Sequence, residues 1–317
     1  MGMRILVTGG AGFIGSHVVD AYIQLGHSVS IVDNLSTGRR ANINPKATFY
    51  EVDIRDAAIV ERVFREQPFD LVNHHAAQMD VRRSVENPAF DASVNIVGVL
   101  NLLECCVKTG VRRFIFASTG GAIYGEQDYF PADEKHPTRP ISPYGVAKLA
   151  TENYLYYYNA VHDLNYVSLR YANVYGPRQN PEGEAGVVAI FTSKMLNGNQ
   201  PVVNGDGKQT RDYVYVGDVV GANVRALDFQ RCGILNIGTG RETDVNTLFE
   251  QIRKGSGSNC ERRHGPARKG EQQRSVLNNA RSAEELGWRP TVELEDGLKQ
   301  TVQHFRDELT GAHARPR

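Results

Sequence analysis

The chain has 317 residues, 41% of them hydrophobic and 23% charged, with 36 basic side chains against 36 acidic ones. That is enough apolar content for a large core in one big or two modest domains. The balanced charge leaves no electrostatic footprint for nucleic acid and no polybasic membrane segment; the basic stretch Arg262-Arg263-His264 is local.

Other classes are excluded by pattern. The four cysteines, Cys105, Cys106, Cys232 and Cys260, form no C-x-x-C pair and no zinc spacing, so no metal site is expected, and Cys105-Cys106 read as small core residues. The chain runs straight into an apolar strand, leaving no room for a signal peptide, and Leu6 breaks a myristoylation pattern after Met1-Gly2. No apolar run is read as long enough to span a bilayer. A cytoplasmic protein with no membrane partner is expected.

The first predicted element is the strand Ile5–Thr8. It leads into Gly9-Gly10-Ala11-Gly12-Phe13-Ile14-Gly15 and the helix Ser16–Gln24. Strand, glycine turn and helix in this order make a pyrophosphate cradle. Gly9 permits the tight turn, Gly12 lets backbone N–H groups approach the anion, and Gly15 lets helix and strand pack closely. The strand Val29–Asp33 follows and ends in an acid about 20 residues past the glycines, where a carboxylate meets the adenosine ribose. Asp33 would bind the ribose hydroxyls and repel a 2′-phosphate, which predicts NAD rather than NADP. Arg39 and Arg40 nearby read as solvated loop arginines.

Strands at Thr48–Val52, Leu71–His74 and Phe114–Ser118 then alternate with helices at Ala57–Glu66 and Asn95–Lys108. A long helix from about Tyr144 to His162 precedes the strand Tyr166–Tyr171. This alternation predicts an α/β fold, a doubly wound parallel Rossmann-type sheet. The second half is irregular, with helices expected at Val187–Asn197, Val216–Asp228, Val245–Lys254 and Leu294–Arg306. It reads as a smaller substrate-capping domain over residues 177–310, after a nucleotide-binding domain over 1–176. The chain is expected to re-enter the first domain near 212–226 and to end in a loose tail over 311–317.

The chemistry lies in Tyr144-Gly145-Val146-Ala147-Lys148. Residues i and i+4 share one helix face, so phenol and ammonium point the same way. A free tyrosine, with a pKa of about 10, is a poor base at neutral pH. A nearby cation favours the phenolate, and the pair then serves as general acid/base on an alcohol during hydride transfer.

The glycine turn, Asp33, the strand end Ser118-Thr119 and Tyr144-x-x-x-Lys148 together resemble the extended short-chain dehydrogenase/reductase family. Within it, the chain resembles the nucleotide-sugar branch of UDP-glucose 4-epimerases. Further matches are Asp53-Ile54, His75-Ala76-Ala77-Gln78, Ser118 to Gly125, Leu169 to Arg178, and Gly205-Asp206-Gly207 leading to Arg211-Asp212-Tyr213. The resemblance implies that Asp53 and Ile54 flank adenine and that Ala76, Ala77 and Gln78 line the phosphate–nicotinamide stretch. It adds Phe13, Ile14, Asn34, Asn95 and Tyr171 to the cofactor's contacts. On the substrate side it implies Asn173 and Val187, with Arg211 and Arg268 gripping the UDP diphosphate as guanidinium forks do. The implied reaction is inversion at C4 of a UDP-hexose through a transient 4-keto sugar, with NAD regenerated each turnover.

Four places discriminate. Many members carry a Ser or Thr where this chain has Gly120; a one-residue bulge in Gly120-Gly121 would swing Thr119 into place, with Ser118 as the alternative. Sugar-nucleotide 4,6-dehydratases carry an Asp-Glu pair where Gly121 and Ala122 stand, so dehydration is not expected. Ser275 aligns with the position that gates the 2-substituent, and its small size predicts activity on UDP-N-acetylglucosamine too. Arg82 leaves UDP-glucuronate 4-epimerisation or another nucleotide-sugar oxidoreduction as an alternative, and a catalytically inactive NAD-binding module as a further one. The family's habit of dimerising implies a homodimer through helices near Phe90–Lys108 and Tyr144–His162, using Val94, Val97, Leu100, Leu103, Leu149, Tyr154, Tyr157 and Tyr158.

Overall fold

The computed structural model describes residues 2–182, 186–267 and 272–311. Six strands in the first half are β1 (Arg4–Thr8), β2 (Ser28–Asp33), β3 (Thr48–Glu51), β4 (Leu71–His74), β5 (Arg113–Thr119) and β6 (Asn165–Tyr171). With a later strand, Gly233–Ile237, they form one seven-stranded sheet in the order Gly233–Ile237, β6, β5, β4, β1, β2, β3. Every pairing in it is parallel. The winding reverses between β1 and β4, and a crevice opens there at the carboxyl ends of the strands.

Both faces of the sheet are covered, so its strands are apolar on both sides. Ile5 and Val7 pack with Val18, Val19 and Tyr22 of α1 (Phe13–Gln24) and with Val219 and Ala222 of the helix Val216–Ala226. Leu6, Val72, Phe114 and Phe116 pack on the other face against α2 (Ala57–Glu66), Leu102 and Leu103, and Leu155. Cys105 and Cys106 belong to this second core as free thiols.

The helix expected over Asn95–Lys108 begins earlier. Asn87 caps Phe90 N at 3.0 Å and Pro88 takes the first turn, giving a helix over Pro88–Thr109 that contains a π-helical turn at Ser93–Val97. By length and composition this helix is long and apolar enough to cross a membrane, contrary to the sequence reading. It packs instead against α2 and the helix Pro143–His162. The strand Gly233–Ile237 was not anticipated.

A third core joins the helices Val187–Leu196, Val245–Ser256 and Leu294–Leu309 through Phe191, Met195, Leu248, Phe249 and Val302. Short ladders link this region to the sheet: Asn173–Tyr175 with Tyr213–Tyr215, and Thr210–Arg211 with both Thr243–Asp244 and Arg274–Ser275. Residues 312–317, most of the expected tail, lie outside the described residues.

Candidate active site

Gly9 turns the chain after β1 at φ +68°, and a Cβ there would lie 2.6 Å from Ala76 N. A Cβ on Gly15 would lie 2.2 Å from Gly9 O. The turn is therefore pressed between the loop after β4 and the first turn of α1, a fit only glycine allows. No side chain caps α1. Its first N–H groups, at Phe13, Ile14 and Gly15, and its positive dipole end are of the kind that suits an anion.

Asp33 is nearly buried at the end of β2. Its Oδ2 accepts from Ala11 N at 3.0 Å and its Oδ1 from Leu35 N at 2.9 Å. Burial pushes the carboxyl up, and these two N–H groups oppose the shift. Asp33 thus ties the glycine turn to β2, and a carboxylate retains lone pairs for a ribose. A Cβ on Gly38 would fall 2.8 Å from Asp33 Oδ1, so the space beside the carboxylate is kept open by glycine. Arg39 donates to Asn180 Oδ1 at 3.1 Å, and Arg40 pairs with Glu51 and lies over Phe49. Asp53 accepts from Arg55 and from Asn34, and Arg55 holds its carboxyl down at about 2. Ile54 is buried and faces Gly98, where a Cβ would lie 2.7 Å from Ile54 Cγ1. These residues fit a dinucleotide: a glycine cradle under an uncapped helix, with an acid at the neighbouring strand end.

The loop after β4 is fixed by side chains. Ala76 N donates to Thr8 Oγ1 at 3.2 Å, and Thr8 Oγ1 lies 2.6 Å from His74 Nδ1. Asn95 bonds both main-chain groups of Gln78, accepting from its N–H at 3.0 Å and donating to its C=O at 2.8 Å. Ala77 lies between these anchored positions. Tyr171, at the end of β6, accepts from Asn223 at 2.8 Å, stacks on His75 at 6.4 Å, and has its phenol pushed up by burial.

The helix Pro143–His162 is capped by Ser142, which accepts from Gly145 N at 3.1 Å, with Pro143 in its first turn. A Cβ on Gly145 would meet Ala122 O at 2.6 Å, so glycine lets this helix reach the turn after β5. Tyr144 is half-buried and Lys148 is 3% exposed. The Lys148 ammonium donates to Ala117 O at 2.8 Å and lies 5.8 Å from the centroid of the Tyr144 ring. Burial pushes it down to about 8, and Asp91 and Glu152 resist that shift.

The two candidate hydroxyls have different surroundings. Ser118 donates to Glu152 Oε1 at 2.7 Å, within a buried cluster in which Ser168 and Arg170 share that carboxylate. Thr119 is half-buried and accepts from Ala122 N at 3.3 Å. The β5–β6 register continues unbroken to Thr119↔Tyr171 and Gly120–Ile123 then forms a short helix, so the bulge expected in Gly120-Gly121 is absent. Gly120 instead meets Leu277, leaving no room for a side chain. A Cβ on Gly121 would sit 3.9 Å from both Thr119 Oγ1 and Asn173 Oδ1, so these two polar groups border one space.

On the substrate side, Asn173 N donates to Asp212 O at 2.9 Å, and Val187 opens its helix. Arg211 is the register partner of Ser275, which is 3% exposed. Beside them the buried Asp212 accepts from Thr239, Gly240 and Leu277, which pins this strand in place. Arg82 is exposed, and Arg83 stacks over Phe90 at 4.4 Å. Arg268 lies outside the described residues. Sequence reasoning missed Leu277, Asp91 and the Glu152–Arg170 pair; only Glu152, one turn beyond Lys148, carried a local signal.

The chain is similar over nearly its whole length to known proteins. A putative UDP-glucose 4-epimerase of Methanocaldococcus jannaschii is 49% identical over 304 residues, covering 96% of this chain and 98% of its own. The crystal structure of UDP-glucose 4-epimerase from Thermotoga maritima with UDP-glucose is 53% identical, with a TM-score of 0.96, over 97% of this chain and 100% of that one. The Thermus thermophilus UDP-glucose 4-epimerase complex with NAD is 48% identical, with a TM-score of 0.92, over 96% and 99%. The model of the NAD dependent epimerase/dehydratase family matches residues 5–238, and the chain, a UDP-glucose 4-epimerase-like extended short-chain dehydrogenase/reductase, belongs to that family.

Proposed function

We propose that the protein is an NAD-dependent epimerase that inverts C4 of a UDP-hexose, with UDP-glucose and UDP-galactose as the exchanging pair. The observation that carries this reading is the placement of Tyr144 and Lys148. They lie on one face of a helix, with the amine pinned to Ala117 O near the carboxyl end of β5, two strands from the glycine turn.

Bound NAD supplies a hydride acceptor and donor at C4. The residues supply the rest. Gly9, Gly12 and the first turn of α1 hold the pyrophosphate, Asp33 the adenosine ribose, and Ala76 to Gln78 the nicotinamide side. Tyr144, as phenolate, takes the proton from the 4-hydroxyl and later returns one to the 4-keto oxygen. The Lys148 ammonium stabilises the phenolate. Thr119 is the hydroxyl that orients the 4-oxygen, because Ser118 is committed to Glu152. Arg211 and Arg268 hold the diphosphate while the keto sugar turns its other face, so the anchored nucleotide prevents escape. Gly121 and Ala122 offer no acid or base for dehydration.

A second substrate is favoured by Ser275. A small buried residue beside Arg211 leaves space for a 2-N-acetyl group, which supports UDP-N-acetylglucosamine as well. We also propose a homodimer. Val97, Tyr154 and Tyr157 remain exposed on the two long helices, whereas Leu103 and Tyr158 of the expected face belong to the core. Light scattering should give twice the chain mass.

The test is proton NMR of the purified protein with UDP-glucose and no added cofactor. Growth of UDP-galactose signals is expected. No exchange, even after NAD is added and with UDP-N-acetylglucosamine tried in turn, overturns the reading.

A further inference from the structure

The π-helical turn at Ser93–Val97 lies where the helix Pro88–Thr109 crosses the helix of Tyr144 and Lys148. Such turns interrupt the regular ladder and are enriched at functional sites. Here the turn aims Asn95 both ways. Its carbonyl accepts from Thr151 on the Tyr144 helix at 3.0 Å, and its side chain holds the main chain of Gln78. One residue binds this arrangement together. Asp91, 1% exposed, accepts on Oδ1 from Gln78 Nε2 and from Asn95 Nδ2, each at 2.9 Å. Its Oδ2 is buried and has no hydrogen-bond partner among the described residues.

A buried carboxylate with one bare oxygen is costly unless a positive charge compensates it. The cation present is Lys148. Burial pushes the Asp91 carboxyl up; the hydrogen bonds from Gln78 and Asn95, and after them the Lys148 charge, oppose that push, and Asp91 in turn leads Glu152 in supporting the ammonium. The other groups around Lys148 do not replace it. Glu152, on the same helix, has its oxygens taken by Ser118, Ser168 and Arg170. His74 and His75, at the end of β4, are held neutral by burial and by Lys148 itself. Tyr144 is the group that Lys148 serves.

We propose that Asp91 is a positioning residue of this site: it supplies the buried counter-charge for the Lys148 ammonium and locks Gln78 and Asn95 against the Tyr144 helix. The inference rests on the reading of Tyr144 and Lys148 as the acid–base pair.

The experiment compares the holoenzyme with Asp91→Asn, Asp91→Glu and Tyr144→Phe, reading epimerisation of UDP-glucose across pH and the bound NAD of each. Removing a negative charge lets Lys148 and the Tyr144 phenol lose their protons at lower pH. The whole pH–rate profile of Asp91→Asn is therefore expected to move toward acid by about one unit. The KM for UDP-glucose should stay put, because the residues Asp91 bonds, Gln78 and Asn95, lie on the cofactor side and not among those assigned to the UDP-sugar. Asp91→Glu restores the charge and should return the profile to its wild-type position even with a lower kcat. A profile that stays in place in Asp91→Asn, or moves equally in both variants, overturns the proposal. If Asp91→Asn does not fold, Asp91→Ser takes its place with the same two outcomes. Tyr144→Phe separates the layers: undiminished turnover there overturns the acid–base reading itself, whatever Asp91 does.

Discussion

Gly120 and Leu277 occupy each other's space: a Cβ built on Gly120 would lie 2.6 Å from Leu277 Cδ1. The position where many relatives are expected to carry a hydroxyl is thus filled by a leucine from far along the chain. Gly120→Ala should overpack this contact and cost about 1–3 kcal/mol, read as a lower urea midpoint.

The hydroxyl role then falls to Thr119. Thr119→Val should cut kcat by about 10²-fold or more with the fold intact, as loss of one preorganised donor does. Ser118→Ala should instead remove one bond to Glu152, lowering stability by about 1 kcal/mol with kcat nearly unchanged. Steady-state kinetics beside denaturant melts separate the two; the reverse pattern would make Ser118 the partner.

Lys148 also sets a pH signature of stability. Its ammonium is pushed down by burial from 10.5 to about 8 in the folded protein. Between these values the unfolded chain binds more protons than the folded one, so stability should rise with pH from about 8 to 10.5. The full effect is about 3 kcal/mol. Lys148→Met should flatten that slope in denaturant melts taken at successive pH values.

The same logic runs the other way in acid. Burial pushes His75 down to about 3 and His17 to about 4. Their contribution is complete above 6.5 and is lost as pH falls from 6.5 toward those values. His75→Gln should therefore be less sensitive than wild type to acid between pH 6 and pH 4, by about 2–3 kcal/mol. Equal acid sensitivity of the two would count against a neutral buried His75.

Substrate range gives a further outcome. Ser275→Tyr should abolish turnover of UDP-N-acetylglucosamine while UDP-glucose turnover persists, because a ring at that buried place fills the room for the acetyl group. Equal losses on both sugars would remove Ser275 as the gate.

The sheet was legible because parallel strands buried on both faces carry continuous apolar runs, as in Ile5-Leu6-Val7 and Phe114-Ile115-Phe116-Ala117. Gly233–Ile237 was not, since it opens on a glycine and carries Asn236 as its fourth residue. That amide is fully buried and satisfied by Ala132 O and the Tyr124 hydroxyl, partners a local reading cannot supply. The glycine turn and the Tyr144–Lys148 pair announced themselves through spacing. The choice between Ser118 and Thr119 did not, because Leu277 and Glu152 set their surroundings. The buried Arg170–Glu152 pair was invisible for the same reason: charged residues read as surface until the partner is known.

The strand Gly233–Ile237 closes the flank of β6 only well into the second half of the chain. A fragment ending near Gly176 would leave Asn165–Tyr171 as an open edge, a row of bare N–H and C=O groups inviting another copy to pair. The nucleotide-binding half is thus not separable by a single cut. During synthesis its sheet stays an unfinished, sticky surface until residue 237 has emerged, so this enzyme completes its cofactor layer late and as a whole.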